Sequence, residues 1–558
     1  MQQRKRRSRL WVSAGALLAL VFGVSSALAD ASLTDAGRRI YRDGILSSGQ
    51  LLHATVEHDV ALSGARAACV NCHRRSGYGA SEGNRVVPPI TATYLFRDKQ
   101  VQNQDLLGTR ASPGVPYARP AYDDGSLRRA LREGLHVSGA PLNALMPRYV
   151  LAEPDIELLI GYLRTLSAVP PPGVTDTEMH FATLVTEDVS ERQRQALLGV
   201  MESFFRDKNA ETRRETIRRE QRTVMGHGRV YRAYHKWRLH VWALQGASST
   251  WPQQIDRYYQ QQPVYAVLGG VGHGSWQEIQ MSCERLELPC LFPNTDRPVV
   301  PDGEFFSLYF TRGVVQEAEV LAQSLMSRPT AGPRRLLQVY RQQDSGELAA
   351  AALRRALAGT TGFDLEDRVL TDDTAGSAGF WDTLLAEKHA SVVLWLRDKD
   401  LAHWPRGASP GSAPIYLSDS LLEDPARVVP AGLRSRIRVV LLRELPAIWQ
   451  DRRARVTSWL TSHKLALTDE RIQANTHMVL SLVTRAITHM RENISREYLV
   501  ERIEHLVQTG SWPSIYPRLS LGPGQRVASQ GGYVVPLRED GSLPVNAEWI
   551  VPGTSVPE

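Results

Sequence analysis

The sequence predicts more than one domain: a small all-α domain followed by a larger, two-lobed α/β region. Three observations predict it. A complete Cys-x-x-Cys-His motif, Cys69–His73, sits early in a stretch whose apolar residues recur at helical spacing. A proline run, Pro170–Pro172, then interrupts the chain. Beyond it, short apolar runs alternate with amphipathic stretches, the pattern of βαβ units. A length of 558 residues exceeds one ordinary domain.

Residues 1–29 read as an export signal. Arg4, Lys5, Arg6, Arg7 and Arg9 precede the uncharged apolar run Leu10–Val24, and Ala27-Leu28-Ala29 is a small-x-small cleavage site. The run is short for a membrane span, and no later segment approaches one. The expected mature protein is therefore periplasmic, cleaved after about Ala29, with no transmembrane segment. Removing the five basic residues takes the formal charge from +7 to +2, so the sequence makes no electrostatic case for nucleic acid.

Residues 31–168 form the first expected domain. Leu33–Tyr41, Leu127–Gly134 and Ile156–Leu166 carry the helical pattern. Asp155, just after Pro154, belongs to the first turn of the last helix. No alternating strand stands out. Residues 169–175 form a linker, because consecutive prolines cannot continue a helix and hold the chain extended.

The spacing of Cys69, Cys72 and His73 suits one chemistry above others. Two thiols add to the two vinyl groups of haem, and the adjacent imidazole reaches the iron. The expected cofactor is one covalently attached haem c. Met146, in the loop "NALMPRY" ahead of the final helix, is the expected sixth ligand; a thioether raises the potential and closes the iron to small molecules. His136 is the rival ligand. His53 and His58 precede the motif and read as surface or packing residues. A His/Met iron suits single-electron transfer and disfavours peroxidase or oxygenase chemistry, so no catalytic residue and no enzyme activity are expected.

These residues, with Pro88-Pro89-Ile90 and "GLHVSGAPLNALMPRYVLAEPDIELLIGYLRTL" (134–166), resemble a class I cytochrome c domain. The resemblance implies an axial Met in the Met146-Pro147 loop. It also implies a C-terminal helix packed on an N-terminal one through Tyr162 and Leu163. The long segment between motif and ligand loop departs from the family, so no propionate contacts are carried over.

Residues 176–537 form the α/β region, and 538–558 a tail. Strands are expected at His180–Val185, Val264–Leu268, Leu336–Tyr340, Ser391–Leu396 and Arg438–Leu442. Helices are expected at Ser190–Phe205, Ser275–Leu286 and Glu347–Leu357. "YRAYHKWRLHVWALQG" reads as a further strand, and the Arg/Glu-rich Arg206–Arg222 as a solvated helix. Cys283 and Cys290, seven residues apart, are either a disulfide or two buried thiols. The segments "PVYAVLGGVGHGSWQEIQMSCERLELPCLFP", "FSLYFTRGVVQEAEVLAQSLM", "RRLLQVYRQQDSGELAAAALRRAL" and "YPRLSLGPGQRVASQGGYVVPL" resemble the type I periplasmic binding proteins of branched-chain amino acid transport.

That resemblance implies two hinged lobes closing on a small ligand, with the site at the carboxyl ends of strands. It singles out Gly270, Asn294, Thr295, Asp344, Ser345, Ser418 and Asp419 as cleft candidates. Each is also ordinary turn chemistry. His273 and Trp276, in the "GGVGHGSW" loop, depart from a small-residue amino-acid site. The leading expectation is a periplasmic electron carrier that exchanges electrons with a redox partner protein, a periplasmic dehydrogenase among the candidates. The alternative is a solute-binding receptor of an ABC-type uptake system with an accessory haem.

Overall fold

A computed structural model describes residues 33–553 apart from 57–58, 83–84, 99–118, 225–234, 329–333, 373–377, 388, 403, 405–411 and 491–492. The expected signal and His58 lie outside the described residues. The chain divides into two compact units. One is Met1–Pro170 with Asn493–Tyr498; the other is Pro171–Glu492 with Leu499–Glu558. No helix among the described residues is long and apolar enough to cross a membrane.

The first unit is not all-α. Helices α1 (33–43), α2 (Val70–His73), α3 (Ala92–Leu95), α4 (Asp124–Glu133) and α5 (Glu153–Thr165) share it with five short strands. Strands β1 (His53–Val56), β2 (Val60–Ser63) and β5 (Arg148–Val150) form an antiparallel sheet in the order β2-β1-β5. Strands β3 (Ala80–Glu82) and β4 (Arg85–Val87) form a separate pair. The expectation failed for a physical reason. Each strand is three or four residues long, and β1, β2 and β5 bury few side chains, with Ala54 the one buried residue of β1, so no period-2 pattern develops.

The helices that were expected are held by caps and close packing. Asp123 accepts from the backbone N–H of Ser126 at 2.7 Å, and Ser126 Oγ accepts from Asp123 N–H at 2.9 Å, which satisfies α4's first turn. Gly134 ends α4 in the left-handed region at φ 69°, where a side chain would be strained. Helices α1 and α5 approach so closely at Gly37 that a Cβ there would stand 2.2 Å from the Leu158 carbonyl oxygen. Tyr41 of α1 packs on Tyr162 of α5 with ring centroids 5.3 Å apart. Ile40, Tyr41, Tyr149, Ile156 and Leu159 form the centre of this unit's core.

The second unit is the two-lobed α/β structure that the alternation predicts. The first lobe holds β6 (Glu178–Thr186), α6 (Glu191–Val224), β7 (Lys236–Leu244), α7 (Trp251–Gln261), β8 (Ala266–Leu268), β9 (Val271–Gly272), α8 (Gln277–Arg285), β10 (Cys290–Leu291), β11 (Asn294–Thr295) and β12 (Ser307–Leu308). Its strands run parallel in the order β11-β9-β6-β8-β10-β12, with β7 also paired to β6. A disulfide joins Cys283 at the end of α8 to Cys290 in β10, with Cα atoms 6.2 Å apart. Helix α6 runs without a break through both expected stretches, Ser190–Phe205 and Arg206–Arg222.

The second lobe holds α9 (Val314–Met326), β13 (Arg334–Tyr340), α10 (Ser345–Leu357), β14 (Phe363–Val369), α11 (Ala378–Ala386), β15 (Ser391–Trp395), β16 (Ile415–Ser418), β17 (Ile437–Leu441) and β18 (Tyr533–Pro536). The sheet order is β14-β13-β15-β16-β17-β18, parallel except for β18. Every residue of β15 and β16 is buried, as expected for strands covered on both faces.

The chain crosses between these lobes three times. It leaves the first lobe after β12, and returns from β17 through α12 (Pro446–Ser462) to α13 (Glu470–Met490). Helix α13 meets first-lobe residues, with Asn475 Nδ2 donating to Asn294 Oδ1 at 2.9 Å and His477 edge-on to Phe204. The final crossing brings β18 back to the second lobe. There Gln316 Nε2 donates to the Ser529 and Gly531 carbonyls at 3.0 and 2.9 Å.

Candidate functional site

Two places in the chain concentrate chemistry, one in each unit. In the first, α2 carries the Cys-x-x-Cys-His motif on a single helical turn. Cys69 and Cys72 are free thiols, Cys69 buried and Cys72 exposed. Burial pushes the Cys69 thiol up to about 11, outweighing its hydrogen bond with the Tyr149 hydroxyl, so it rests as a neutral thiol. His73 is buried, and its Nδ1 lies 3.0 Å from the Pro88 carbonyl oxygen. A carbonyl only accepts, so Nδ1 carries the proton and the Nε2 lone pair is left for a ligand. Burial lowers His73 to about 4, which keeps the ring neutral and metal-competent.

Met146 lies in the turn just ahead of β5, half-buried against the same core. Three residues on, the Tyr149 hydroxyl reaches to 4.0 Å from Cys69 Sγ, which ties the Met146 loop to the motif's side of the core. His136 is otherwise engaged: its Nδ1 sits 2.7 Å from Ser138 Oγ, and its ring packs edge-on to Tyr122. His53 is exposed on β1. This donor set suits a covalent haem: two thiols one helical turn apart, a neutral imidazole whose other nitrogen is anchored, and a thioether in the same core.

The second place is a cleft between the lobes of the second unit, with a cavity of about 760 Å³. Its walls come from loops at the carboxyl ends of strands. His273 follows β9, Asn294 and Thr295 form β11 with Asp296 next, Arg397 follows β15, Ser420 and Leu421 follow β16, and Arg443 follows β17. The start of α13, through Arg471 and Ile472, closes the base.

Of the cleft candidates, Asn294 and Thr295 line the cavity, whereas Gly270, Asp344, Ser345, Ser418 and Asp419 do not. The Gly270 carbonyl instead receives the Asn294 backbone N–H at 2.8 Å and its Nδ2 at 3.1 Å, so Gly270 shapes β11. Asp344 accepts from Arg397 Nε at 3.0 Å and caps α10 through Ser345 N–H at 2.7 Å. Ser418 bonds the buried Glu317. Asp419 lies behind the wall in a bidentate pair with Arg443, at 2.8 and 2.9 Å. Trp276 is buried in the first lobe's core, while His273 does reach the wall.

Sequence reasoning missed the arginines that organise the cleft. Arg397 of the second lobe donates to Asp296 of the first at 2.7 Å and to Ser345 Oγ at 3.1 Å. A second pair joins Arg192 of the first lobe to Glu423 of the second at 2.7 Å, more exposed than the first. Burial pushes Asp296 up, but His273 and Arg397 outweigh it and hold the carboxyl below its usual range. At Asp419 the charges of Arg443 and Arg471 overcome burial in the same direction. Each arginine directly follows an apolar strand or opens a helix, and that position was the one available signal.

No protein-family profile matches the chain. No curated protein matches it either. Solved structures do resemble it. One is the fatty acid ABC transporter substrate-binding protein from Thermomonospora curvata, 16% identical, with a TM-score of 0.48 over 69% of this chain and 94% of that one. Another is a putative branched-chain amino acid ABC transporter protein from Rhodospirillum rubrum, 15% identical, TM-score 0.45, over 67% and 99%. A third is the branched-chain amino acid transporter substrate binding protein of Streptococcus pneumoniae in complex with isoleucine, 10% identical, TM-score 0.48, over 67% and 100%.

Proposed function

We propose that this chain is an exported solute-binding receptor that carries a covalent haem c on its N-terminal domain. One observation supports the receptor reading above the others. A cavity of about 760 Å³ lies at the carboxyl ends of two parallel sheets and is spanned by the Arg397–Asp296 pair. Ligand bound there touches both lobes and therefore favours their closed arrangement. On this reading the chain is a binder and carrier, not an enzyme. The test is thermal unfolding of the full chain against amino acids, sugars and organic acids. A true ligand at about 100 times its Kd stabilises by about 2.7 kcal/mol, a rise of a few degrees. No shift with any of these solutes would sink the receptor reading.

The second reading, single-electron transfer through the haem, is favoured by the bond between His73 Nδ1 and Pro88. Cys69 and Cys72 would hold the group as thioethers, and His73 and Met146 would supply nitrogen and sulfur ligands to its iron. When bound, haem supplies reversible one-electron chemistry. The chain's own part is to fix His73 in one tautomer, exclude water around Cys69 through Tyr149, and present the exposed Cys72 side to solvent and to a redox partner. Expression in a host that matures c-type cytochromes should give a chromophore that survives denaturing electrophoresis. Cys69→Ala with Cys72→Ala should remove it. A mature wild-type chain without a covalent chromophore overturns this reading.

A further inference from the structure

We infer that the cleft takes an organic carboxylate with an apolar, aromatic body, held by Arg471 at the cleft base. This inference rests on the receptor reading above and names the chemistry of its ligand. Arg471 stands in the first turn of α13, facing the cavity. Its Nη2 donates to two backbone carbonyls, Asp419 O at 2.9 Å and Leu422 O at 3.1 Å. No carboxylate among the described residues pairs with it. The acids whose charges reach it are engaged elsewhere: Asp419 is held bidentate by Arg443, Asp469 lies 3.7 Å from Arg192, and Asp398 accepts from the Glu423 N–H at 3.1 Å.

Around Asp419 the cleft base therefore sets two guanidinium groups, Arg443 and Arg471, against one carboxylate, which pairs directly with Arg443 and reaches Arg471 only through its charge. A cation enclosed without its own counter-ion costs free energy, because carbonyl dipoles replace its hydration only in part. Its position adds to the cost, since the amino end of a helix is the positive end of the dipole. An anionic ligand answers both terms, and a planar guanidinium matches a carboxylate's two oxygens.

The surroundings decide what the rest of the ligand is. Tyr516, stacked on Phe310 with centroids 5.0 Å apart, stands beside the base with Leu421, Ile515 and Trp449. These side chains suit a flat apolar body. An α-ammonium group would need a buried carboxylate of its own. Asp419, Asp296 and Glu444, the buried acids of the cleft, are already paired with Arg443, Arg397 and Arg452, and Asp398 accepts from the Glu423 N–H.

The experiment is calorimetric titration of the full-length protein with benzoate, phenylacetate, benzyl alcohol, phenylalanine and inorganic phosphate. Benzoate or phenylacetate should bind at least tenfold more tightly than each of the other three. Arg471→Met should weaken the carboxylate at least tenfold, and Arg471→Lys less. The unliganded Met variant should melt somewhat lower than wild type, because it loses two carbonyl bonds and one of the charges that hold Asp419 ionised. Equal binding of the alcohol, tighter binding of phenylalanine, or tight binding of phosphate overturns the carboxylate assignment while leaving a receptor in place. Binding of no compound overturns the carboxylate assignment alone, and the receptor reading then stands or falls by the thermal-unfolding screen. A Met variant that melts lower yet binds the acid unchanged makes Arg471 a structural residue and also overturns the assignment.

Discussion

Glu317, in the first turn of α9, is fully buried and accepts from Ser420 N–H at 2.9 Å, from Ser420 Oγ at 2.7 Å and from Ser418 Oγ. It thereby fixes the loop after β16 that supplies Ser420 and Leu421 to the cleft. Burial is the largest influence on its carboxyl. With the nearby charge of Asp419, it outweighs the serine bonds and pushes Glu317 up to about 8. Unfolded, the group ionises near its ordinary value of 4.5. Between those two values the folded chain holds a proton that the unfolded chain has released. Stability must therefore fall as pH rises through that window and level off above it. Glu317→Gln keeps the shape and removes the proton. Its melting temperature should decline less than wild type between pH 5.5 and 8.5, a difference on the order of 1–3 kcal/mol, since each unit is worth about 1.4 kcal/mol. Parallel pH profiles would show that Glu317 is ionised in the fold.

At the scale of elements, legibility follows burial. Strands β15 (SVVLW) and β17 (IRVVL) are covered on both faces, and their near-continuous apolar runs are visible in the sequence. Strand β14 (FDLEDRV) was missed. It is an edge strand with charges on its exposed positions, where Glu366 pairs with Arg335 and Asp367 with Arg354. The three-residue β5 was missed because its pairing with β1 depends on residues far apart in the chain. The proposed haem site rests on donors that are neighbours in the sequence, and the structure sets Cys69, Cys72 and His73 on one turn. The cleft was not legible in that way. Asn294 and Thr295 were found as residues following a strand. Arg397, Arg443 and Arg471 were not, because one arginine looks like another until folding decides which loses its carboxylate partner. Asp344 and Asp419 have the right position and chemistry, yet each is consumed by an arginine no local pattern connects to it.

For the second unit as a whole, what matters is the balance between open and closed lobes, which a ligand can shift only by binding one arrangement better. Among the described residues two ion pairs bridge the lobes, and they differ in weight. Arg192–Glu423 is well exposed, and such pairs contribute about 0–1 kcal/mol. Arg397–Asp296 is far more enclosed, with 17% and 4% of the side chains accessible, and Ser345 Oγ adds a third contact at 3.1 Å from Asp296. Asp296→Asn keeps the size of the side chain and leaves the Arg397–Asp344 pair within the second lobe intact. It weakens what joins the lobes, together with the longer His273–Asp296 contact inside the first lobe. The closed population of the unliganded protein should fall by a factor of about ten, a change of about 1.4 kcal/mol. Small-angle scattering should then give a larger radius of gyration than wild type, and saturating ligand should erase the difference. Apparent ligand affinity should drop in proportion to the lost closed fraction, through slower capture of the closed state, with the melting temperature of each lobe little changed. Identical scattering from Asp296→Asn and wild type, with unchanged affinity, would mean that hinge packing around Gln316 and the Ser529–Gly531 carbonyls sets the lobe angle, and that the ion pair merely follows it.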